Sequence, residues 1–218
     1  MIALESLSVV YGRTVALHDV TLELHPGITG LFGQNASGKT TLLRALAGLT
    51  RPTSGRVLVD GIPVALTDEG FRRRVGYAGH EPGLYARLTV AENLNLFARL
   101  YGVSGQRVEE LLASLGIEDR SAKAVSALSA GLKRRAAVAR AMLHEPDILL
   151  LDEPYANLDD EAADFVTQTI LRWHAPGRLG VVATHGAKRV KAFASAGLIL
   201  KRGEPVSYRV RTPIEATT

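Results

Sequence analysis

Eight residues, Gly33 to Thr40, read G-Q-N-A-S-G-K-T and fit the spacing G-x-x-x-x-G-K-[ST], a loop whose backbone N–H groups wrap a chain of phosphates. The glycines let the backbone bend tightly. Gln34, Asn35, Ala36, Ser37 and Gly38 then turn their amides toward one anionic centre, and the following helix adds the positive end of its dipole. Lys39 is placed for the β- and γ-phosphates, Thr40 for a magnesium ion, and Thr41 completes the binding set as the helix gets under way. The expected ligand is a nucleoside triphosphate. Further along, Asp147 to Pro154 read D-I-L-L-L-D-E-P, a short apolar strand delivering two adjacent carboxylates at its C-terminal end, where open α/β sheets hold their ligands. Asp152 suits a magnesium hydration shell, and Glu153 suits orienting and deprotonating a water that attacks the γ-phosphorus. Alone, this stretch would be a strand and an acidic turn; behind a phosphate loop it describes a metal-dependent nucleotidase.

These groups need elements to hold them. Ile28 to Phe32 (I-T-G-L-F) reads as a buried strand entering the loop, and Thr41 to Gly48 (T-L-L-R-A-L-A-G) as the helix leaving it, with a glycine at the stop. Upstream, Val20, Leu22 and Leu24 alternate with Thr21 and Glu23, the pattern of a sheet with one wet face. Gly55 to Val64 reads as a hairpin turning at Asp60-Gly61. From Thr89 the period becomes helical: Thr89 and Glu92 form a capping box, and Val90, Leu94, Phe97 and Tyr101 share a face before Gly102. A second helix turns Val108, Leu111, Leu112 and Leu115 inward and ends at Gly116. Leu128 to Arg135 (L-S-A-G-L-K-R-R) opens a third, with Leu132, Ala136, Ala139 and Leu143 along one face and Ser129 at its start. There a hydroxyl and free backbone N–H groups meet, which serves an anion or simply caps the helix.

The 218 residues are 46% hydrophobic and 22% charged, ordinary usage for one sizeable domain. The net charge of +4 comes from scattered arginines, Arg72 to Arg74 being the longest run, with few aromatics among them. A nucleic-acid partner is therefore not expected. With no cysteine, disulfides and thiol catalysis are excluded. The N-terminus lacks a secretory pattern and no run approaches about 18 apolar residues, so the chain is expected to stay in the cytoplasm and to reach a membrane only through partners.

The L-S-A-G run resembles the L-S-G-G-Q signature of ATP-binding cassette proteins, and the other motifs follow in that family's order over nearly the whole chain. The resemblance implies ATP and Mg2+ as ligands, Ser129 and Gly131 on the γ-phosphate of a second copy, and Tyr11 stacked on adenine unless it is a cross-strand core residue. It also implies Asp159, in the A-N-L-D stretch from Ala156, at a loop crossing to the partner, and His185, ending V-V-A-T-H, as a switch touching the γ-phosphate. The fold implied is α/β: a P-loop NTPase (RecA-like) core with an N-terminal antiparallel β subdomain over residues 1–79 and 146–218, and a helical subdomain over 80–145, in one ATPase domain. Two cassettes would face head to tail, as a homodimer or within a hetero-complex, beneath integral membrane permease subunits on the inner face of the cell membrane.

Three positions depart from that pattern. Ala130 and Leu132 replace a glycine and a glutamine of the signature, and His80, in Y-A-G-H, stands where most cassettes place a glutamine that touches magnesium and senses the membrane partner. Neutral histidine accepts one hydrogen bond there, whereas protonated histidine is a poor metal neighbour. The runs Gly79 to Leu84 (G-H-E-P-G-L) and Leu88 to Leu94 (L-T-V-A-E-N-L), with Arg134 and Arg135, are most similar to the ATPase subunit of cytochrome c biogenesis haem exporters. Rival expectations are an ATPase for another cargo and an ATP-binding regulatory subunit with little turnover. A DNA-repair ATPase would need a long heptad insertion, and a translation-factor ATPase a second cassette; the sequence contains neither.

Overall fold

Alternation near the N-terminus becomes the edge of an antiparallel sheet. In the computed structural model, which describes residues 1–65 and 68–210, β1 (Ile2–Tyr11) pairs with β2 (Thr14–Leu24) so that Ile2 faces Leu24 and Leu4 faces Leu22. Val20 and Leu24 are buried while Thr21 and Glu23 are exposed, as the period of two requires. On the other side of β1 lie β4 (Ser54–Val59) and β5 (Ile62–Pro63), separated from β2 in the chain by β3 (Gly27–Phe32) and α1 (Lys39–Leu46), giving the order β2-β1-β4-β5. The β4–β5 turn is the expected one: Asp60 and Gly61 have φ of 50° and 81°, and Val59 faces Ile62 across them.

The chain forms two compact units, Met1–Asp68 with Pro176 onward, and Glu69–Ala175. The expected core range runs to residue 218, of which residues 211–218 lie outside the described residues. In the first unit β3 (Gly27–Phe32) is flanked in parallel by β8 (Leu179–Thr184) and β9 (Ala196–Lys201), with β10 (Glu204–Val210) antiparallel on β9. Every residue of β3 and β8 is buried, which is why both are predominantly apolar rather than alternating, with Thr29 and Thr184 the polar exceptions. Helices α1 (Lys39–Leu46) and α7 (Ala187–Phe193) follow β3 and β8.

The second unit holds the parallel pair β6 (Val75–Ala78) and β7 (Ile148–Asp152). Around it in sequence run α2 (Glu69–Arg74), α3 (Val90–Tyr101), α4 (Gly105–Ser114), α5 (Ala130–Met142) and α6 (Asp160–Trp173). The capping box at the start of α3 is present: Thr89 Oγ1 accepts the Glu92 N–H at 3.1 Å, and Glu92 accepts the Thr89 N–H at 2.7 Å. Those bonds hold the Glu92 carboxyl below its usual pKa. Val90 and Leu94 are buried along α3, each worth about 1.5–3 kcal/mol of apolar burial. Val108, Leu111, Leu112 and Leu115 are buried as expected, and Gly116 ends that helix with φ 60°. Together the elements make an α/β fold of the P-loop NTPase kind, with an antiparallel β sheet and a helical part.

Candidate functional site

The phosphate-loop residues leave β3 where the sheet itself aims them. Phe32 is registered with Thr184 of β8, so Gly33 and His185 emerge side by side from the carboxyl ends of adjacent parallel strands. Gly38 occupies the N-cap of α1 at φ 104°, with no side-chain cap on the helix. A Cβ there would sit 2.6 Å from the Ala16 carbonyl oxygen, so only glycine fits. Lys39, 7% exposed, arches back over the loop and donates to the Gly33 and Gln34 carbonyls at 2.8 and 3.0 Å. Ser37 Oγ is buried and has no hydrogen-bond partner among the described residues, and its backbone is braced by the Gly203 N–H at 2.9 Å. An uncapped helix start, a cation and an orphaned hydroxyl around one tight loop form an anion cradle, which fits a phosphate chain. Gln34, Asn35, Ala36 and Thr40 are exposed, as a loop that meets a ligand requires.

Tyr11, at the end of β1, is 50% exposed and its hydroxyl lies 3.5 Å from Thr50 Oγ1. It is therefore not a cross-strand core residue. His185 is also exposed.

In the second unit the residues expected to carry chemistry gather at the carboxyl ends of β6 and β7. Ala78 is registered with Leu151, so His80 and the pair Asp152 and Glu153 leave neighbouring strands at one edge. Asp152 is 2% exposed. Glu153 sits in the left-handed region at φ 50°, a conformation costing a non-glycine residue about 1 kcal/mol or more. His80 is exposed. Among the described residues no cluster of three or more His, Cys, Asp or Glu could cage a metal. That donor set fits magnesium, which takes one or two protein ligands and completes its shell with phosphate and water.

Ser129 caps α5, its Oγ accepting the Leu132 N–H at 3.3 Å, and it stays exposed. Gly131 has a use within the chain: a Cβ there would lie 2.7 Å from the Asn157 carbonyl oxygen, so the loop before α6 packs onto its bare Cα. Asp159 caps α6, its Oδ1 accepting the Ala162 N–H at 2.8 Å. A capping role for Asp159 was legible in the sequence, three residues before a run of helix formers, but was not among the expectations.

Two residues that matter had been given no role in the site, although Arg134 belongs to one of the runs quoted above. Arg134, 7% exposed, donates to the Gly79 and His80 carbonyls at 2.6 and 3.1 Å and to the Asp152 carbonyl at 3.3 Å. Burial pushes its pKa down while the Asp152, Glu153 and Tyr77 charges oppose that; a guanidinium stays charged regardless. Asn93, fully buried in α3, ties down the loop at Tyr85 to Thr89. Arg135 and Arg140 brace other ends: Arg135 donates to the Leu115 and Gly116 carbonyls closing α4, each at 2.9 Å, and Arg140 to Tyr77 at 2.8 Å beneath the Phe97 ring.

A phosphate loop between a buried parallel strand and an uncapped helix, with a separate acidic strand end and a serine-capped helix, defines the class of P-loop ATPases. Residues 17–156 match the family described as ABC transporter, and the chain belongs to that family. It is 34% identical over 200 residues to the ABC transporter ATP-binding protein NatA of Bacillus subtilis (strain 168), covering 89% of this chain and 81% of that protein. It is 36% identical over 209 residues to the methionine import ATP-binding protein MetN 2 of Burkholderia mallei, of which it spans 52%. Among solved structures, the dimeric MJ0796, described as a bacterial ABC transporter cassette, superposes with a TM-score of 0.88 at 27% identity, covering 97% of this chain and 99% of that one. The same cassette is also known in a post-hydrolysis state bound to ADP and Pi. No helix among the described residues is long and apolar enough to cross a membrane.

Proposed function

We propose that this chain is the ATP-hydrolysing subunit of a membrane transporter, binding MgATP between two copies that face head to tail. The observation that carries it is the cradle at Ser37 to Lys39: a buried hydroxyl with no partner among the described residues, an uncapped helix and a lysine already arched over the loop. Lys39 has three N–H donors and spends two on carbonyls, so a phosphate oxygen takes the third and competes for the others. Backbone amides of Gln34 to Thr41 hold the phosphates, and Tyr11 offers its exposed ring to adenine. Magnesium, when bound, would neutralise charge on the β- and γ-phosphates; Thr40, Asp152 and His80 are the residues assigned to it. Glu153 orients the attacking water and takes its proton, and His185 reports the γ-phosphate. Ser129 and Gly131 of one copy, with the loop ending at Asp159, face the nucleotide of the other, a dimer supported by the two-subunit form of MJ0796.

Hydrolysis removes the group that both copies hold, so the faces part and residues 80–88 relay the movement to permease subunits at the inner face of the cell membrane. The runs Gly79 to Leu84 and Leu88 to Leu94 favour haem export or release in cytochrome c biogenesis as the process served. Purification with its membrane partners tests this, since partners that bind neither haem nor a haem chaperone overturn it. For hydrolysis, Glu153→Gln should keep ATP binding and accumulate an ATP-dependent dimer while turnover falls about 100-fold or more, because the base is lost and the phosphate cradle is untouched. Turnover equal to wild type removes Glu153 from this role. Absent turnover in wild-type protein that still binds ATP would instead establish a regulatory subunit.

A further inference from the structure

We propose that Arg134 is a positioning residue for hydrolysis, locking the backbone that carries His80 to the strand end that carries Glu153 and joining both to the helix begun by Ser129. Arg134 has this role only if Glu153 hydrolyses ATP as proposed above. Its three acceptors identify the function. Gly79 and His80 follow the last registered pair of the β6–β7 ladder on one strand, and Asp152 follows it on the other. One planar guanidinium therefore spans both strands where they stop pairing with each other, using Nη1 for Gly79 and Asp152 and Nη2 for His80.

The residues on either side of these carbonyls are the ones assigned to chemistry. Glu153 is held at φ 50°, so the direction of its carboxyl depends on how firmly its neighbour Asp152 is fixed. His80 shares the same tether through its own carbonyl. A displacement of the His80 loop is thus delivered to Asp152 through a single rigid fork rather than through side chains that can relax. Arg134 itself lies five residues after Ser129 on α5, about 7.5 Å along the axis, so the same fork ties both strand ends to the signature helix. Arg135 makes a useful contrast. It is equally cationic and next in sequence, yet its bonds end on Leu115 and Gly116, which carry no chemistry.

Lysine keeps the charge at position 134 but presents its donors from one point and lacks the fork. The test uses the full chain as wild type, Arg134→Lys, Arg134→Gln and Arg135→Lys, and measures equilibrium ATP affinity, steady-state hydrolysis and amide exchange at residues 79–81 and at Asp152 and Glu153. For Arg134→Lys the expected result is kcat lower by about 10- to 100-fold with ATP affinity within about twofold, the signature of misplacing groups by a fraction of an ångström. Exchange should accelerate at both segments together, and Arg134→Gln should show the same pattern more strongly. Arg135→Lys should keep kcat within about twofold even where its melting temperature falls. Arg134→Lys with wild-type kcat, or exchange that rises at one segment only, overturns the proposal. Should wild-type protein bind ATP without turnover, the hydrolysis reading fails by itself, and paired exchange in the Arg134 variants alone decides whether the two segments are coupled.

Discussion

Replacing Asn93 measures how the loop ahead of α3 is held in place. The side chain is fully buried. Its Oδ1 accepts the Tyr85 N–H at 2.7 Å, and Nδ2 donates to the carbonyls of Thr89, Tyr85 and Leu88 at 2.9, 3.0 and 3.4 Å. Counting four full bonds would overstate the effect of Asn93→Ala. The Thr89 carbonyl also accepts the backbone N–H of Asn93, the Tyr85 carbonyl that of Leu88, and the Leu88 carbonyl that of Val125, so each keeps a partner. The Tyr85 N–H loses its acceptor, at about 1–3 kcal/mol, and the under-satisfied carbonyls add about 1 kcal/mol. A loss of about 3 kcal/mol lowers Tm by about 6–12 °C for a chain of this size.

Asn93→Asp sharpens the test. It retains Oδ1 for Tyr85 but turns a second oxygen toward three carbonyls, so the buried carboxyl is favoured in its neutral form and its folded pKa rises above the unfolded value. Stability of that variant is then greatest below the unfolded carboxyl pKa and falls as pH rises through the folded one. Thermal melts of wild type and both variants at about pH 5 and about pH 8, with amide exchange at residues 85–88, provide the readout. Asn93→Ala melting within about 2 °C of wild type, or Asn93→Asp with no extra loss at the higher pH, refutes the reasoning.

Two further outcomes follow from the same geometry. Lys39→Ala should weaken ATP binding about 10- to 100-fold, the worth of one to two charge-assisted hydrogen bonds; unchanged affinity by equilibrium titration would contradict the cradle. His144 stacks on Tyr101 with ring centroids 4.0 Å apart and donates from Nε2 to the Val75 carbonyl at 3.2 Å. Burial chiefly, with Arg140 and Arg73 adding to it, depresses its pKa below 6.5 against the opposing Val75 bond. The unfolded chain therefore binds this proton first, so stability is full above the unfolded histidine pKa and declines as pH falls through it toward the lower folded value. His144→Phe should flatten that decline in urea unfolding measured at successive pH values, and an unchanged slope would show that other groups cause it.

What the sequence determined by itself is local. The phosphate loop, the Asp60-Gly61 turn, the Thr89 and Glu92 capping box and the buried runs of β3 and β7 are written in contiguous residues, because each rests on interactions among near neighbours or on a simple period of burial. Family membership was legible for the same reason, since short motifs in fixed order carry it. Tertiary structure alone decided what the motifs rest on. Arg134 reaches carbonyls 54 and 55 residues away, and a carbonyl has no residue type by which a reader of the sequence could find it. Within the chain, the missing Cβ of Gly131 makes room for the Asn157 backbone, a requirement visible only once the two segments are packed. Tyr11 was expected on adenine unless it were a cross-strand core residue, and its position at the end of β1 leaves it half exposed, outside the core. In each case the deciding contact is long in sequence and short in space, so only the folded chain could reveal it.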